Sequence, residues 1–113
     1  MLNRSKILAA MREIWTDEND RTFYGKLPSP RLYLANLGND WFGYCEICDT
    51  FHKIVLHYDG KFQWTKAMIR EILIHEMIHQ YQAIQKSART RKEIHGSFFQ
   101  YHHIRIFGVR YDI

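Results

Sequence analysis

The stretch TKAMIREILIHEMIHQYQAIQ, residues 65–85, decides how the rest of the chain must be arranged. Met68, Ile69, Ile72, Leu73, Ile74, Met77, Ile78 and Tyr81 put apolar side chains almost all round a helix, which the pattern predicts from about Phe62 or Thr65 to Gln85. A helix without a wet face belongs at the centre of a small domain. Within it stands His75-Glu76-Met77-Ile78-His79, an HExxH pattern. Residues four apart lie one turn apart on the same helix face, so His75 and His79 are placed to bind one metal ion, with Glu76 turned about 100° from His75. The composition makes roughly 0.02 such pentapeptides expected by chance. Burying two histidines and a glutamate in an apolar helix without a partner is costly, which weighs against ordinary core or surface histidines.

These residue types suit zinc. A bound zinc ion lowers the pKa of its water to ~7, and a carboxylate such as Glu76 then takes the proton as hydroxide attacks a carbonyl. A catalytic zinc takes three protein ligands and leaves one position for water. Gln82 and Gln85 stand where a metzincin would need Gly and His, and Glu93 is the only glutamate after His79. His95, His102 and His103 remain as third-ligand candidates. His95 is favoured, because it stands beside Gly96 at the start of the last predicted helix, and the fifteen residues between it and His79 suffice to reverse the chain. His102 follows two helical turns later on roughly the same face and is a candidate to support the ligands or touch substrate. His103 points about 100° away from His102 and reads as a packing or surface histidine.

Outward from the central helix, Ile7, Leu8, Met11, Ile14 and Trp15 predict a first amphipathic helix over residues 4–15, with acidic Asp17-Glu18-Asn19-Asp20 near its end. After Pro28 and Pro30, strands are predicted at Arg31–Leu34, Trp41–Ile47 and Lys53–Tyr58, with turns at Gly38-Asn39-Asp40 and Asp59-Gly60. A basic loop over residues 86–92 leads to a last helix from about His95 to Phe107, ended by Gly108. The order is that of an α+β fold.

At 113 residues, with 46% apolar and 15% aromatic, the chain makes one domain over residues 1–113 with a real core. Its apolar runs are too short and too interrupted for a membrane span, so no membrane partner is expected. The N-terminal residues lack the unbroken apolar stretch of a secretory signal, which sets the expectation of a cytoplasmic or otherwise intracellular protein, nuclear in a eukaryote. Without export, the Asn3-Arg4-Ser5 sequon carries no meaning. Residues 1–60 hold seven Lys/Arg against eight Asp/Glu, and residues 61–113 hold nine against four, together with five of the seven histidines. Lys86, Arg89, Arg91 and Lys92 are the best candidates for contacting nucleic acid such as single-stranded DNA, with a solvated linker as the plain alternative. Trp41, Phe42 and Trp64 have the chemistry to stack on unpaired bases, although aromatic residues at this density more often fill a core. Cys45-Glu46-Ile47-Cys48, followed by His52 and His57, resembles half of a structural zinc site, but residues three apart on a strand face opposite ways, so two buried free thiols are expected. Tyr81, Tyr101 and Tyr111 could each offer a hydroxyl to a developing oxyanion, and the sequence does not choose among them.

His75-Glu76-Met77-Ile78-His79 followed by His95-Gly96-Ser97-Phe98-Phe99 resembles the HExxH…HGxxF signature of the SprT-like, or Spartan-like, zinc metalloproteases. The similarity continues through His102 and Arg105-Ile106, and upstream through Phe23–Pro28 and Gly43-Tyr44-Cys45. The resemblance implies a minimal zincin-like α+β domain: a small sheet, a central HExxH helix and a following helix carrying the third ligand. It implies one catalytic Zn2+ on His75, His79 and His95, Glu76 as general base, and proteolysis, in some members of proteins crosslinked to DNA. Many members carry a four-cysteine zinc ribbon or further DNA- and partner-binding segments. This sequence holds two cysteines, too few for such a ribbon, which puts the family's DNA targeting in doubt and makes a targeting partner protein one candidate source of it. An extended protein or peptide substrate is expected to pair with a strand edge within Trp41–Ile47. The competing expectation is a small zinc-containing DNA-binding or adaptor domain with little peptidase activity. Glu76 argues against it, because a purely structural site needs no base. A zinc hydrolase of non-peptide amides is a third.

Overall fold

The computed structural model describes residues 2–85 and 94–111. Helix α1 (Arg4–Thr22) begins where the Asn3 side chain accepts the Lys6 amide N–H at 2.9 Å, capping one of the donors that a helix start leaves unpaired. It runs seven residues beyond the predicted end, through the acidic stretch. Two of those residues are buried, and each has at least one partner outside the helix. Asn19 exchanges both hydrogen bonds with the Leu27 backbone, at 3.0 and 3.2 Å, and Glu18 accepts from Arg21, Thr22 and Arg70. Tertiary partners thus override the weak helix preference of these residues. Tyr24 and Gly25 then take positive φ and turn the chain back, with the Gly25 N–H on the Asn19 carbonyl at 2.7 Å.

Three strands follow: β1 (Arg31–Ala35), β2 (Gly43–Ile47) and β3 (His52–His57), in the spatial order β1-β3-β2. β3 is central and almost wholly buried, parallel to β1 and antiparallel to β2. β2 therefore forms one edge of the sheet. It starts two residues later than predicted, because Trp41 and Phe42 lie ahead of the ladder, where the Phe42 carbonyl accepts the His57 N–H. At Gly43 an added Cβ would come within 3.0 Å of both Ile72 Cγ2 and the Val55 carbonyl oxygen. Glycine there lets β2 and the central helix approach closely.

Helix α2 (Lys66–Gln85) is introduced by Thr65, whose hydroxyl accepts the Met68 N–H at 3.2 Å. It packs against α1, β2, β3 and the last helix, α3 (Ser97–Phe107). Its apolar residues Ile69, Leu73, Ile74, Met77 and Ile78 are completely buried among Ile7, Met11, Phe23, Ile54, Leu56 and Phe99. α3 starts at Ser97 with Gly96 as its N-cap, so His95 stands in the turn before the helix rather than on it, a correction to the expected placement. Gly108, with φ +80°, ends α3 as expected. No helix among the described residues is long and apolar enough to cross a membrane.

The middle of this core contains one amide, that of Gln80, wholly shielded from solvent. Its Oε1 accepts the Trp15 indole N–H at 2.9 Å, and its Nε2 donates to the Pro28 carbonyl at 3.1 Å and to His52 Nδ1 at 2.9 Å. Gln80→Leu keeps much of the volume but strands the Trp15 N–H, the Pro28 carbonyl and the His52 ring. The expected loss is about 2–4 kcal/mol, read as a lower denaturant midpoint with unchanged slope.

Glu18 gives a pH test. Burial works to raise its pKa, but Thr22, Arg70 and Arg21 together outweigh that and hold the carboxyl below its ordinary value. The stabilisation is fully present above the unfolded pKa of ~4.5 and is lost as the pH falls through the depressed folded value. Wild type should therefore exceed Glu18→Gln by about 2 kcal/mol at neutral pH, and the gap should close in acid, measured by urea unfolding at pH 7 and pH 3.

Candidate metal centre

α2 carries His75 and His79 on one face, one turn apart, and the turn before α3 brings His95 against them. His79 Nε2 lies 3.3 Å from His75 Nε2 and 3.2 Å from His95 Nε2. Among the described residues these three make the only group of His, Cys, Asp or Glu whose ligand atoms gather closely enough to hold a metal ion. Tetrahedral ligands at ~2.05 Å from an ion stand ~3.3 Å from one another, so the spacing fits a four-coordinate divalent metal with one corner left over.

The tautomers agree with that fit. Gln82 Oε1 lies 2.7 Å from His79 Nδ1, and since an amide oxygen only accepts, Nδ1 carries the proton and Nε2 presents a bare lone pair. Burial, together with the neighbouring histidines, lowers the pKa of His75 to about 3. Burial takes His79 down to about 4 against the opposing pull of Gln82, and lowers His95 too. All three are neutral imidazoles at pH 7, the form that ligates metals.

Phe99, fully buried on α3, lies under the group, its ring centroid 5.0, 4.9 and 4.8 Å from those of His75, His79 and His95. Gln100 fixes the other side: its Nε2 donates to the carbonyls of His95 and Tyr111, and its Oε1 accepts the Tyr111 N–H at 2.8 Å. Gln82 Nε2 meanwhile donates to the Ile94 carbonyl at 2.8 Å, one residue before the third histidine. Sequence reading assigned Gln82 only a negative role, as the glycine that was missing, and left Gln100 unremarked. Nothing in the sequence sets these amides apart from glutamines that face water.

The histidines and Glu76 line a cleft of about 780 Å³ between α2 and β2. Glu76 is 5% exposed, and burial pushes its pKa up to about 8. A divalent cation on the adjacent histidines favours its ionised form. Trp41, 65% exposed, and Ile47 flank the cleft on the β2 side. Tyr111 closes in on the metal group, its ring 4.6 Å from His75 and 4.9 Å from His95.

The other predicted residues fall elsewhere. His102 is buried against Tyr81 and Phe98, accepts the Arg105 Nε–H at 3.0 Å and does not line the cleft. His103 packs on Phe99 and Phe107, with Nδ1 2.6 Å from the Val109 carbonyl. Of the three tyrosines weighed, Tyr81 is buried in the core, Tyr101 projects from α3, and Tyr111 lines the cleft, as does Tyr44, which was not weighed. Trp64 is buried with its N–H on the His57 carbonyl, whereas Trp41 and Phe42 are both exposed and line the cleft, Phe42 with one side of its ring against Phe62 and Trp64. Cys45 and Cys48 are free and half-buried rather than fully buried. Burial raises the pKa of the Cys45 thiol, so it is no reactive thiolate. Lys86, Arg89, Arg91 and Lys92 lie outside the described residues.

The sequence model of the SprT-like family matches residues 11–112, nearly the whole chain and all of the cleft. No curated protein matches the chain. Gln82→Leu, which removes both the acceptor for His79 Nδ1 and the tie to Ile94, should weaken zinc binding by ~10–100-fold with the helical content unchanged. Competition against a chromophoric chelator, with circular dichroism of the same samples, checks this.

Proposed function

The chain belongs to the SprT-like family, and from that premise we propose that it is a zinc-dependent endopeptidase using His75, His79 and His95 as ligands and Glu76 as general base. The observation that carries the proposal is the gathering of three neutral imidazoles in an open cleft that Glu76 also lines, with His79 Nε2 3.3 Å from His75 Nε2 and 3.2 Å from His95 Nε2. Zinc at that position supplies Lewis-acid polarisation of the scissile carbonyl and acidifies the attacking water. The Glu76 carboxylate withdraws a proton from that water as its oxygen bonds to the carbonyl carbon. When the C–N bond breaks, the same carboxyl returns the proton to the leaving amine, so the enzyme ends as it began. Burial helps this relay, since a carboxyl in a dry cleft holds a proton longer than one in water.

β2 supports an extended substrate. As an edge strand it has one side left unpaired by the sheet, and its residues Gly43 to Cys45 and Ile47 line the cleft, so a peptide laid beside it would gain main-chain hydrogen bonds without reading sequence. Trp41 and Ile47 then offer apolar contact to its side chains. Tyr111 is the residue best placed to give a hydroxyl to the carbonyl oxygen as charge develops there. The finer reading, that the substrates are DNA-associated or DNA-crosslinked proteins delivered by single-stranded DNA or a targeting partner, rests on the resemblance and on the basic balance of residues 61–113.

The test is cleavage of a flexible basic protein by the zinc-loaded chain, with and without single-stranded DNA. Glu76→Gln should lose ~10²–10⁴-fold in rate while keeping zinc, and a chelator should abolish cleavage until zinc is restored. No cleavage by folded, zinc-loaded wild type in either condition would replace the peptidase with the binding-module reading. Stimulation by DNA would support DNA-associated substrates.

A further inference from the structure

A second cavity, of about 370 Å³, opens where the ends of α1 and α3 meet the first half of α2. It shares no lining residue with the metal cleft. Each of the three helices contributes one arginine: Arg21 from α1, Arg70 from α2 and Arg105 from α3, with Thr22 and Ile106 completing the wall. Three guanidinium groups repel one another unless something negative lies among them. The protein supplies one such group, the carboxylate of Glu18, 1% exposed, whose Oε1 takes Arg21 Nη2 at 2.8 Å and Arg70 Nε at 3.0 Å. Three positive charges against one negative leave the cavity two short of neutrality.

Arg105 is the fixed member. Its Nε donates to His102 Nδ1 at 3.0 Å and its Nη1 to the Thr22 carbonyl at 2.9 Å, and its guanidinium lies 5.8 and 5.6 Å from the rings of Phe23 and Tyr24. Burial, and then Arg105 itself, lowers the His102 pKa to about 4, so that ring is neutral and does not offset the charge. The remaining nitrogen, Nη2, is buried and has no hydrogen-bond partner among the described residues. A buried guanidinium N–H without an acceptor is costly, so an anion in the adjoining cavity that drew Nη2 out to itself would relieve that cost. Arg21, with a side chain 71% exposed, is tied down only through Glu18 and is free to swing over a guest.

We propose that this three-arginine cavity binds a doubly charged tetrahedral oxyanion of the phosphate class, with Arg105 as its rigid base and Arg21 as its movable side. Charge count and the planar multi-donor guanidinium groups on three sides favour phosphate over a monovalent carboxylate. The same chemistry arrives as inorganic phosphate or as the terminal phosphate of a nucleotide.

The test is a titration of the zinc-loaded chain with inorganic phosphate at constant ionic strength, followed by NMR of the arginine Nε–H signals. Saturable shifts of Arg21, Arg70 and Arg105 are expected. Arg105→Gln should weaken binding by roughly tenfold or more, as expected for losing charge-assisted hydrogen bonds. Because Arg105→Gln also cuts the tie to Thr22 and can unsettle the fold, Arg21→Gln is the second variant. It leaves Arg70 on Glu18 and should weaken binding by ~5-fold at unchanged melting temperature. Displacement of phosphate by a nucleoside monophosphate, but not by the nucleoside, would assign the site to a terminal phosphate, and failure to displace would assign it to the free ion. Shifts that stay linear to high concentration would overturn the proposal. So would an affinity untouched by both substitutions, or one that vanishes only when zinc is removed, which would put the ion on the metal.

Discussion

The rotation of α2 about its own axis is set by the side chain of Gln80, and everything functional in the molecule depends on that rotation. The amide has one oxygen and two N–H groups, and all are used: indole from α1, carbonyl from the segment before β1, imidazole from β3. An apolar helix surrounded by apolar neighbours has little reason to prefer one rotation over another, since hydrophobic contact is not directional. A buried amide with three fixed partners removes that freedom, because any other rotation strands several polar groups at once. His79 precedes Gln80 and is turned about 100° from it. The same constraint that locks the core therefore aims the metal-binding face at the cleft.

The site itself is held by amides and an aromatic plate rather than by charge. Gln82 links the second histidine to the backbone just before the third, Gln100 links the backbone of the third to that of Tyr111, and Phe99 spaces the three rings. Neutral supports suit a dry cleft, where a carboxylate partner for histidine would add a further desolvation cost. They also leave no carboxylate bonded to the three histidines among the described residues, which keeps the role of Glu76 as base separate from any structural duty.

Much of this was legible in the sequence because the decisive elements are periodic. The all-round apolar pattern of residues 65–85 located the central helix, whose first residue, Lys66, follows the later of the two expected starts, Phe62 and Thr65, and the HExxH spacing put two imidazoles on one face. Strands β2 and β3 followed from aromatic and β-branched runs, while their antiparallel pairing is a finding of the fold. The errors fell where tertiary contacts outrank local preference. Asp17 to Asp20 read as lying near a helix end, yet α1 runs on to Thr22: Glu18 bonds Arg70 on α2 as well as Arg21 and Thr22 of its own helix, and Asn19 bonds Leu27 across a turn. His95 read as a helical residue, yet Gly96 is the cap and the imidazole belongs to the turn. The supporting amides were invisible for a related reason. A glutamine in a helix looks the same whether it faces water or two backbone groups, and only the assembled fold tells them apart.

Tryptophan placement has a spectroscopic consequence. Trp15 and Trp64 are buried with their indole N–H groups bonded inside the protein, whereas Trp41 stands in solvent at the cleft rim. The chain thus contains two fluorophores that sense whether the core is intact and one that senses what lies along β2. A Trp41→Phe difference spectrum isolates the rim fluorophore, so occupancy of the cleft becomes readable in real time on the unlabelled protein, separately from its folding.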